Sequence, residues 1–451
     1  MREKKRIGAV AVLLTALVLS GCSENHKNSE NNFSVSNGNE QIEAVKKAVV
    51  SEPTELTFVF AEGDKGGKAA MIDMVNRFNE QYENITVNIH SSGSGSYDEI
   101  LKTLESVGEF PDLLETTNVA AYVRAGVLAE LPENIVSLFE TVTEFDGKYY
   151  TAPQARNNTY GIIYNKEYFD THDLAEPSTY EEFIELCEKI KELGDMSPLG
   201  VGAQDLWHIG FWFEKAYEDQ VLSRDPDFIT HCYEGTKSFT DEIFQAVIEE
   251  LKEIIGYAQD GWASTPDAQV TTLLLNERTA MVYTGGHVFL DIEEADPDFE
   301  VGWFSIPGPD GKLRLVGGAA ANGLAISAET IKNPNKKAAA EEFIRFFFEK
   351  ENYQYYCKAL DIIPTTVDAP QIEYSQLVKE VLADLDAADS VGPTWNNETG
   401  NKELPGDFRN YTYETLVEVL QGDRDTESAC EEIQKAWERS IRSFNPVTGV
   451  F

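Results

Sequence analysis

The sequence predicts an α/β protein whose folded body divides into two domains, and three observations carry that expectation. From Leu56 onward a β-rich run, a glycine-containing loop, a helix and a second strand follow one another directly. Beyond them helical and strand patterns alternate to the C-terminus, with no fixed repeat period. The folded part is also about 400 residues long, more than one ordinary hydrophobic core serves, so two domains are the default.

The first segment of the chain is read as an address rather than as part of that body. Arg2, Lys4, Lys5 and Arg6 form a basic start, Ile7 to Leu19 an apolar run, and small Ser20 and Gly21 precede Cys22. The run is about 13 residues, short of the roughly 20 that a spanning helix needs. Residues 1–21 therefore read as a lipoprotein signal peptide, cleaved so that Cys22 becomes the first residue and its thiol takes a diacylglyceryl group. Residues 22–54 read as a flexible tether, because Ser23 to Asn39 is rich in Asn, Ser and Glu and nearly without apolar residues. Its reach as a flexible chain is roughly 30 Å. The expected location is extracytoplasmic, lipid-anchored to the cell membrane.

Composition narrows the partners. With 42% hydrophobic and 11% aromatic residues the body suits a globular monomer, and a formal net charge of -41 makes nucleic acid and anionic membrane surfaces poor partners. No later apolar run is long enough to span a bilayer, so membrane contact is expected through the lipid anchor only. Cys187, Cys232, Cys357 and Cys430 form no CxxC pair, which leaves one or two disulfides open outside the cytoplasm. His90, His172, His208, His231 and His287 lack paired metal-ligand spacing, and neither a metal nor a cofactor is expected.

The body then reads element by element. Leu56 to Phe60 is a strand, and Ala61 to Gly67 is a loop. Met71, Val75, Phe78 and Tyr82 share one helical face, and Ile85 to His90 is the second strand. In such a unit ligands meet the loops at the carboxyl ends of the strands. Asp146-Gly147 reads as a tight turn before Lys148-Tyr149-Tyr150. Ser178-Thr179-Tyr180-Glu181 reads as a capping box for a helix through Phe183, Cys187, Ile190 and Leu193 that stops at Gly194. Asn333-Pro334 introduces a helix over Lys336 to Glu349, and Thr426 to Arg442 is the last helix.

Read in order, these segments resemble the extracellular solute-binding proteins of carbohydrate ABC importers, the maltose and maltodextrin binders among them. The pieces are Pro111-Asp112-Leu113-Leu114 with Ala125-Gly126-Val127-Leu128, Asp146-Gly147-Lys148-Tyr149-Tyr150-Thr151-Ala152-Pro153, Tyr164-Asn165-Lys166, and Thr279-Ala280-Met281. Ile306-Pro307, Gly317-Gly318 and the helix containing Ala340-Glu341-Glu342-Phe343-Ile344 follow. Each is weak singly; their order and spacing run from about residue 55 to the end. The resemblance implies a type II periplasmic-binding-protein-like fold, two α/β lobes joined by a hinge that the chain crosses more than once. Lobe one would hold 55–158 and 323–370, and lobe two 159–322 and 371–451, with a mono- or oligosaccharide between them and ABC transporter permease subunits as partners.

A sugar needs carboxylates and amides for its hydroxyls and aromatic rings for its C–H faces. Glu62-Gly63-Asp64-Lys65-Gly66 looks like the family's sugar-contacting loop after the first strand, which implies Glu62, Asp64 and Lys65. Asn158 stands six residues before Tyr164, where the maltose binders carry a ligand-binding Glu, with Arg156 and Asn157 as alternatives. Gln204-Asp205-Leu206-Trp207 resembles a segment with an acidic residue and a stacking aromatic, implying Asp205 and Trp207. Gly317 and Trp395 complete the candidates, Trp395 either roofing the cleft or packing its own loop; Trp212 and Trp303 have core positions open to them. The chain also departs from the pattern. Thr117 and Asn118 stand where maltose binders have Trp and then Asp-Arg, and Thr284-Gly285-Gly286-His287 stands where a tryptophan commonly stacks. Those positions imply a sugar other than maltose.

Other readings of the same features stay on the table. A surface glycosidase needs two carboxylates about 5 to 10 Å apart, and among 78 acidic residues such pairs arise by chance, without any nucleophile elbow, phosphate loop or zinc-protease signature. A polyamine, metal chelate or peptide binder of the same fold would also combine acidic and aromatic residues, and a sensor or adhesin lipoprotein would need no transporter.

Overall fold

The computed structural model describes residues 49–61, 65–91, 97–117, 119–155, 159–317, 322–395, 398, 402–442 and 444. Strands β1 (Thr54–Val59), β2 (Ile85–Ile89) and β3 (Leu113–Glu115) come first, followed by a short hairpin of β4 (Glu144–Phe145) and β5 (Lys148–Tyr149). Strands β6 (Tyr160–Asn165), β7 (Ser197–Gly200), β8 (Thr279–Gly285) and β9 (Val301–Phe304) occupy the middle. The last strands are β10 (Arg314–Gly317), β11 (Leu324–Ile326) and β12 (Ser390–Pro393).

Eight of these strands make two separate four-stranded sheets, ordered β11-β3-β1-β2 and β7-β8-β6-β9, while β10 pairs in parallel with β12. In the first, β1 runs parallel to β2 and β3, with Leu56 beside Val87, while the late strand β11 returns antiparallel to β3. In the second, β6 lies antiparallel between β8 and β9. A chain that leaves one sheet for the other and comes back for β11 must cross between them repeatedly. The α/β unit expected at the start of the body is present, with α1 (Lys65–Gln81) joining β1 to β2.

Each sheet has its own apolar cores. Helices α1, α2 (Tyr97–Val107), α3 (Val119–Ala125) and α4 (Glu133–Val136) belong to the first half of the chain. Met71, Val75, Phe78 and Tyr82 are all buried, as their spacing predicts, although Tyr82 lies just past the end of α1. They meet Phe343, Phe346 and Phe347 of a helix from the far end of the sequence. Asp112 fastens this lobe: its carboxylate accepts from the Thr57 amide (2.9 Å), Thr330 Oγ1 (2.8 Å) and Lys336 Nζ (2.9 Å). Burial works to raise its pKa, but the Lys336 ammonium and the other donors hold it below the usual carboxylate value.

Around the second sheet lie α5 (Lys166–Thr171), α6 (Tyr180–Leu193), α7 (Leu206–Tyr217), α8 (Phe228–Tyr233), α9 (Glu242–Ile255), α10 (Asp267–Leu275) and α11 (Phe289–Ala295). The capping box of α6 sits one residue later than the sequence pattern predicts. Thr179 accepts from the Glu182 amide at 3.1 Å, and Glu182 Oε2 accepts from the Ser178 amide at 2.7 Å. Gly194 ends that helix at φ 76°, and Asp146-Gly147 turns with both residues at positive φ, as a two-residue hairpin requires. The remaining helices are α12 (Pro334–Phe347), α13 (Lys350–Leu360), α14 (Gln376–Ala387), α15 (Gly406–Leu420) and α16 (Thr426–Ser440). Helices α12 and α13 pack on the first sheet, whereas Val378 and Val381 of α14 join the core of the second, beside Trp303. Asn333 caps α12 and Asp425 caps α16, each through its side chain. Cys187, Cys232, Cys357 and Cys430 are all free and buried.

Candidate functional site

Two places need close chain contact: the segments that cross between the sheets, and the strand ends beside them. Near the crossing, Ala152 and Leu324 exchange backbone hydrogen bonds of 2.8 and 2.9 Å. Thr116 locks the same spot, its hydroxyl lying 3.0 Å from the Gly323 carbonyl and 2.9 Å from the Gly323 amide. Gly323 has no room for a side chain, since a Cβ there would sit 2.2 Å from the Ala152 carbonyl oxygen. From the other side, the Tyr353 hydroxyl donates to the Gln154 carbonyl (2.8 Å), and Thr365 Oγ1 donates to the Pro153 carbonyl (2.7 Å). The crossing segment is thus gripped up to Gln154, six residues before β6 opens the second sheet at Tyr160.

At the first sheet, the carboxyl ends of β1 and β3 are bound together. The Tyr97 hydroxyl lies 3.0 Å from the Val59 carbonyl and 2.6 Å from the Glu115 carbonyl, and the Ala61 amide donates to Glu115 Oε2 at 3.0 Å. Lys65 opens α1 directly after β1, and Thr117 sits half-buried between β3 and α3. Glu62, Asp64, Asn118, Asn158, Arg156, Asn157 and Gly318 lie outside the described residues, as do Cys22 with its leader and tether and the side chains of Lys65 and His287.

At the second sheet an aromatic wall stands where β6 begins. Tyr160 pairs with Gly285 at the end of β8, and its ring stacks on Phe211 at 3.9 Å between centroids and 24° between planes. Phe211 in turn meets Trp207 at 5.3 Å, one helical turn earlier on α7. Trp207 is 44% exposed, whereas the other Phe, Tyr and Trp rings among the described residues are buried or half-buried. An indole kept in solvent on a rigid aromatic backing is a ready-made surface for another flat apolar face.

The same turn of α7 is held by a polar chain. Asp205 Oδ2 accepts from the Asp267 amide at 2.9 Å, Asp267 Oδ1 lies 2.7 Å from His208 Nδ1, and the His208 amide donates to the Asp205 carbonyl at 2.9 Å. Asp205 thereby ties the start of α7 to the start of α10 with one carboxylate oxygen. Gln259 strengthens the same loop, its side chain accepting from the Val201 amide (2.9 Å) and donating to the Val201 carbonyl (2.7 Å). The pattern at Gln204 to Trp207 drew attention to Asp205 and Trp207; it missed Tyr160, Phe211, His208 and Asp267. Phe211 was accessible as the i+4 neighbour of Trp207, whereas Tyr160 and Asp267 arrive through strand pairing and tertiary packing.

Two further candidates lie elsewhere. Trp395 does not roof a cleft: it is 3% exposed and packs edge-on against Phe213 at 4.4 Å and Tyr217 at 5.3 Å, with its amide donating to Glu214 Oε1. Its loop folds inward because the aromatic residues of α7 and α15 offer more apolar contact than solvent does. Trp212 and Trp303 are likewise core, the latter donating from Nε1 to Asp384 at 2.9 Å. Gly317 ends β10 at φ 149°, a backbone region that side chains disfavour, next to the crossing that leads to β11.

Comparison with known proteins places this architecture. The multiple sugar-binding protein of Streptococcus mutans is 21% identical over 370 residues, covering 79% of this chain and 81% of that one. A probable sugar-binding periplasmic protein of Rhizobium meliloti is 19% identical over 83% of this chain and 91% of its own length. Among solved structures, a chitin oligosaccharide binding protein superposes with TM-score 0.73 at 21% identity, covering 86% of this chain and 98% of the other. A sugar transporter from Bacillus licheniformis in complex with stachyose gives TM-score 0.69 at 18% identity, covering 86% and 100%. The fold is therefore the type II periplasmic-binding-protein arrangement, two α/β lobes joined by a hinge. The family model described as bacterial extracellular solute-binding protein matches residues 73–389, a stretch that takes in strands of both sheets and the crossings between them, and the chain belongs to that family.

Proposed function

We propose that this chain is the substrate-binding lipoprotein of an ABC importer, taking a sugar, and most readily an oligosaccharide, between its lobes and delivering it to permease subunits in the membrane. The observation that carries the proposal is Trp207, an exposed indole on a rigid Phe211–Tyr160 backing at the strand ends beside the crossing. A carboxylate already held in place by Asp267 stands two residues away at Asp205. Aromatic face and oriented acceptor together match the two chemistries of a sugar ring. Most of the relatives are named for sugar binding, which favours the same ligand class over a polyamine.

Lobe one is taken as 55–158 with 323–370, and lobe two as 159–322 with 371–451. The return of β11 to the first sheet and the packing of α14 on the second support those divisions. Lipidation at Cys22 and an extracytoplasmic, membrane-tethered monomer complete the reading. The family is one of binders rather than catalysts, and a protein that only binds returns its ligand unchanged after prolonged incubation.

Calorimetry against raffinose, stachyose, chitin oligosaccharides and spermidine tests the proposal. Trp207→Ala is expected to weaken the sugar that binds at least about tenfold, the loss of an aromatic stacking surface and its buried area. Its unliganded melting temperature should hardly change, because the ring is already in solvent. Tight binding of spermidine with no response to any glycan overturns the sugar reading, and a Trp207→Ala protein that binds as before removes Trp207 from the site.

A further inference from the structure

Well away in sequence from the crossing segments, the two lobes touch through a charged contact. Arg124 lies near the end of α3, a helix docked on lobe one through Val119, Ala120 and Tyr122. Its guanidinium pairs with the carboxylate of Glu403 and lies over the ring of Phe444 at 4.5 Å. Both of those residues belong to the C-terminal part of the chain assigned to lobe two. The Glu403 side chain is only 4% exposed, and its segment is pinned from behind. The Tyr233 hydroxyl donates to the Glu403 carbonyl at 2.7 Å, and Lys402 Nζ donates to the Pro226 carbonyl at 2.8 Å while pairing with Asp227 at 3.0 Å. Leu404, the next residue, is part of the lobe-two core. An acceptor held from behind, with a ring beside it, on one lobe thus receives a cation carried by the other. Neither interaction survives separation of the lobes, so both contribute only to the closed arrangement.

We propose that Arg124, Glu403 and Phe444 form an interlobe clasp that sets the fraction of closed molecules before any solute arrives. The proposal rests on the reading of two lobes that open and close. The clasp holds without ligand contact, so it tunes apparent affinity through the population competent to bind. Arginine suits the task because its planar group pairs with a carboxylate and stacks on a ring at once, which a lysine ammonium does less well.

Pulsed-EPR distances between nitroxides at Val107→Cys and Leu193→Cys test it in the full chain carrying Cys22→Ser. Val107 is 61% and Leu193 42% exposed, at the ends of α2 and α6 on different lobes, and the other four cysteines are buried away from the label. In the unliganded protein Arg124→Ala should lower the short-distance population between about two- and fivefold, the range of a partly exposed ion pair with a cation–π contact. Arg124→Lys should fall in between, Glu403→Gln should reproduce the part of the loss that belongs to the ion pair, and the double variant should add little to Arg124→Ala. Molar salt should open the parent and leave Arg124→Ala unmoved. Circular dichroism guards against unfolding of any variant. Raffinose, stachyose and chitin oligosaccharides serve as the control for closure. If one of them shortens the distance while the clasp variants match the parent, the clasp is wrong and the closing of the lobes stands. If neither sugars nor variants move the distance, the hinged reading fails and the clasp with it.

Discussion

Gly323 shows how little freedom a single position at the crossing has. A methyl group there would meet the Ala152 carbonyl and the Pro153 backbone, neither of which can swing aside as a side-chain tip would. Thr116 fixes the glycine from its other face through two hydrogen bonds. Gly323→Ala is therefore expected to cost about 1 to 3 kcal/mol, the usual range for forcing extra atoms into a packed site. Urea unfolding with an unchanged m-value would register that loss, and a variant as stable as the parent would show that the crossing yields more easily than its contacts imply. At Trp207 and Asp205 the same scale separates roles. The indole is exposed and stabilises little, whereas one oxygen of Asp205 already serves the amide of Asp267. Asp205→Asn keeps a carbonyl acceptor for that amide and removes only the charge, so any loss of sugar affinity it causes belongs to the ligand.

The unusual element is the end of α7, which widens into a π-helical turn over Glu218–Leu222. Helix and turn bury Glu214, Lys215, Glu218 and Asp219 together, facing Glu250 of α9, Arg314 of β10 and Glu398. Lys215 pairs with Asp219, and Arg314 reaches the same carboxylate at 3.5 Å, so the two cations are drawn to one acid. Burial then pushes Glu214 and Glu398 up to about 7 and Glu218 and Glu250 up to about 8, helped by Asp219 in the latter pair. An acid raised in this way is held protonated by folding. Its contribution to stability is complete below the unfolded value near 4.5 and is lost as pH climbs through 7 to 8. The melting temperature should accordingly be lower at pH 8.5 than at pH 5.5, by roughly 5 °C. Glu218→Gln, which imitates the protonated acid, should recover part of that difference at pH 8.5 and change little at pH 5.5. Equal melting temperatures at the two pH values would mean that these carboxylates are solvated rather than held neutral.

For the whole molecule the consequential features are the two sheets, the crossings and the proposed lipid anchor. Each lobe has its own cores, so rigid-body movement about the crossings costs no core packing. The contacts that the proposed closing would change are those between the lobes, the proposed clasp among them. Anchoring is tested separately. Cys22→Ser should move the protein from the membrane fraction to the soluble fraction or leave its precursor unprocessed, because Cys22 is the one cysteine that directly adjoins the leader. Incorporation of a fatty-acid analogue into that variant would exclude Cys22 as the acceptor.

Much of this architecture is written locally. The helix face of Met71, Val75, Phe78 and Tyr82, the turn at Asp146-Gly147, the stop at Gly194 and the cap at Asn333 follow from side-chain period, positive φ and capping chemistry, which act over a few residues. The ordered motifs also revealed the family. Interactions between distant residues were beyond the reach of such signals. The Ser178 pattern misplaced the capping box by one residue because Thr179 and Ser178 compete for one role, and backbone geometry chose between them. Trp395 and Trp207 look alike in sequence, each an indole in a polar setting. One is buried against Phe213 and Tyr217, and the other is left in solvent on Phe211. Short-range periodicity and capping thus determined which segments are helix and strand. Tertiary structure alone decided which aromatic faces outward, because burial depends on the apolar surfaces that remote segments bring to it.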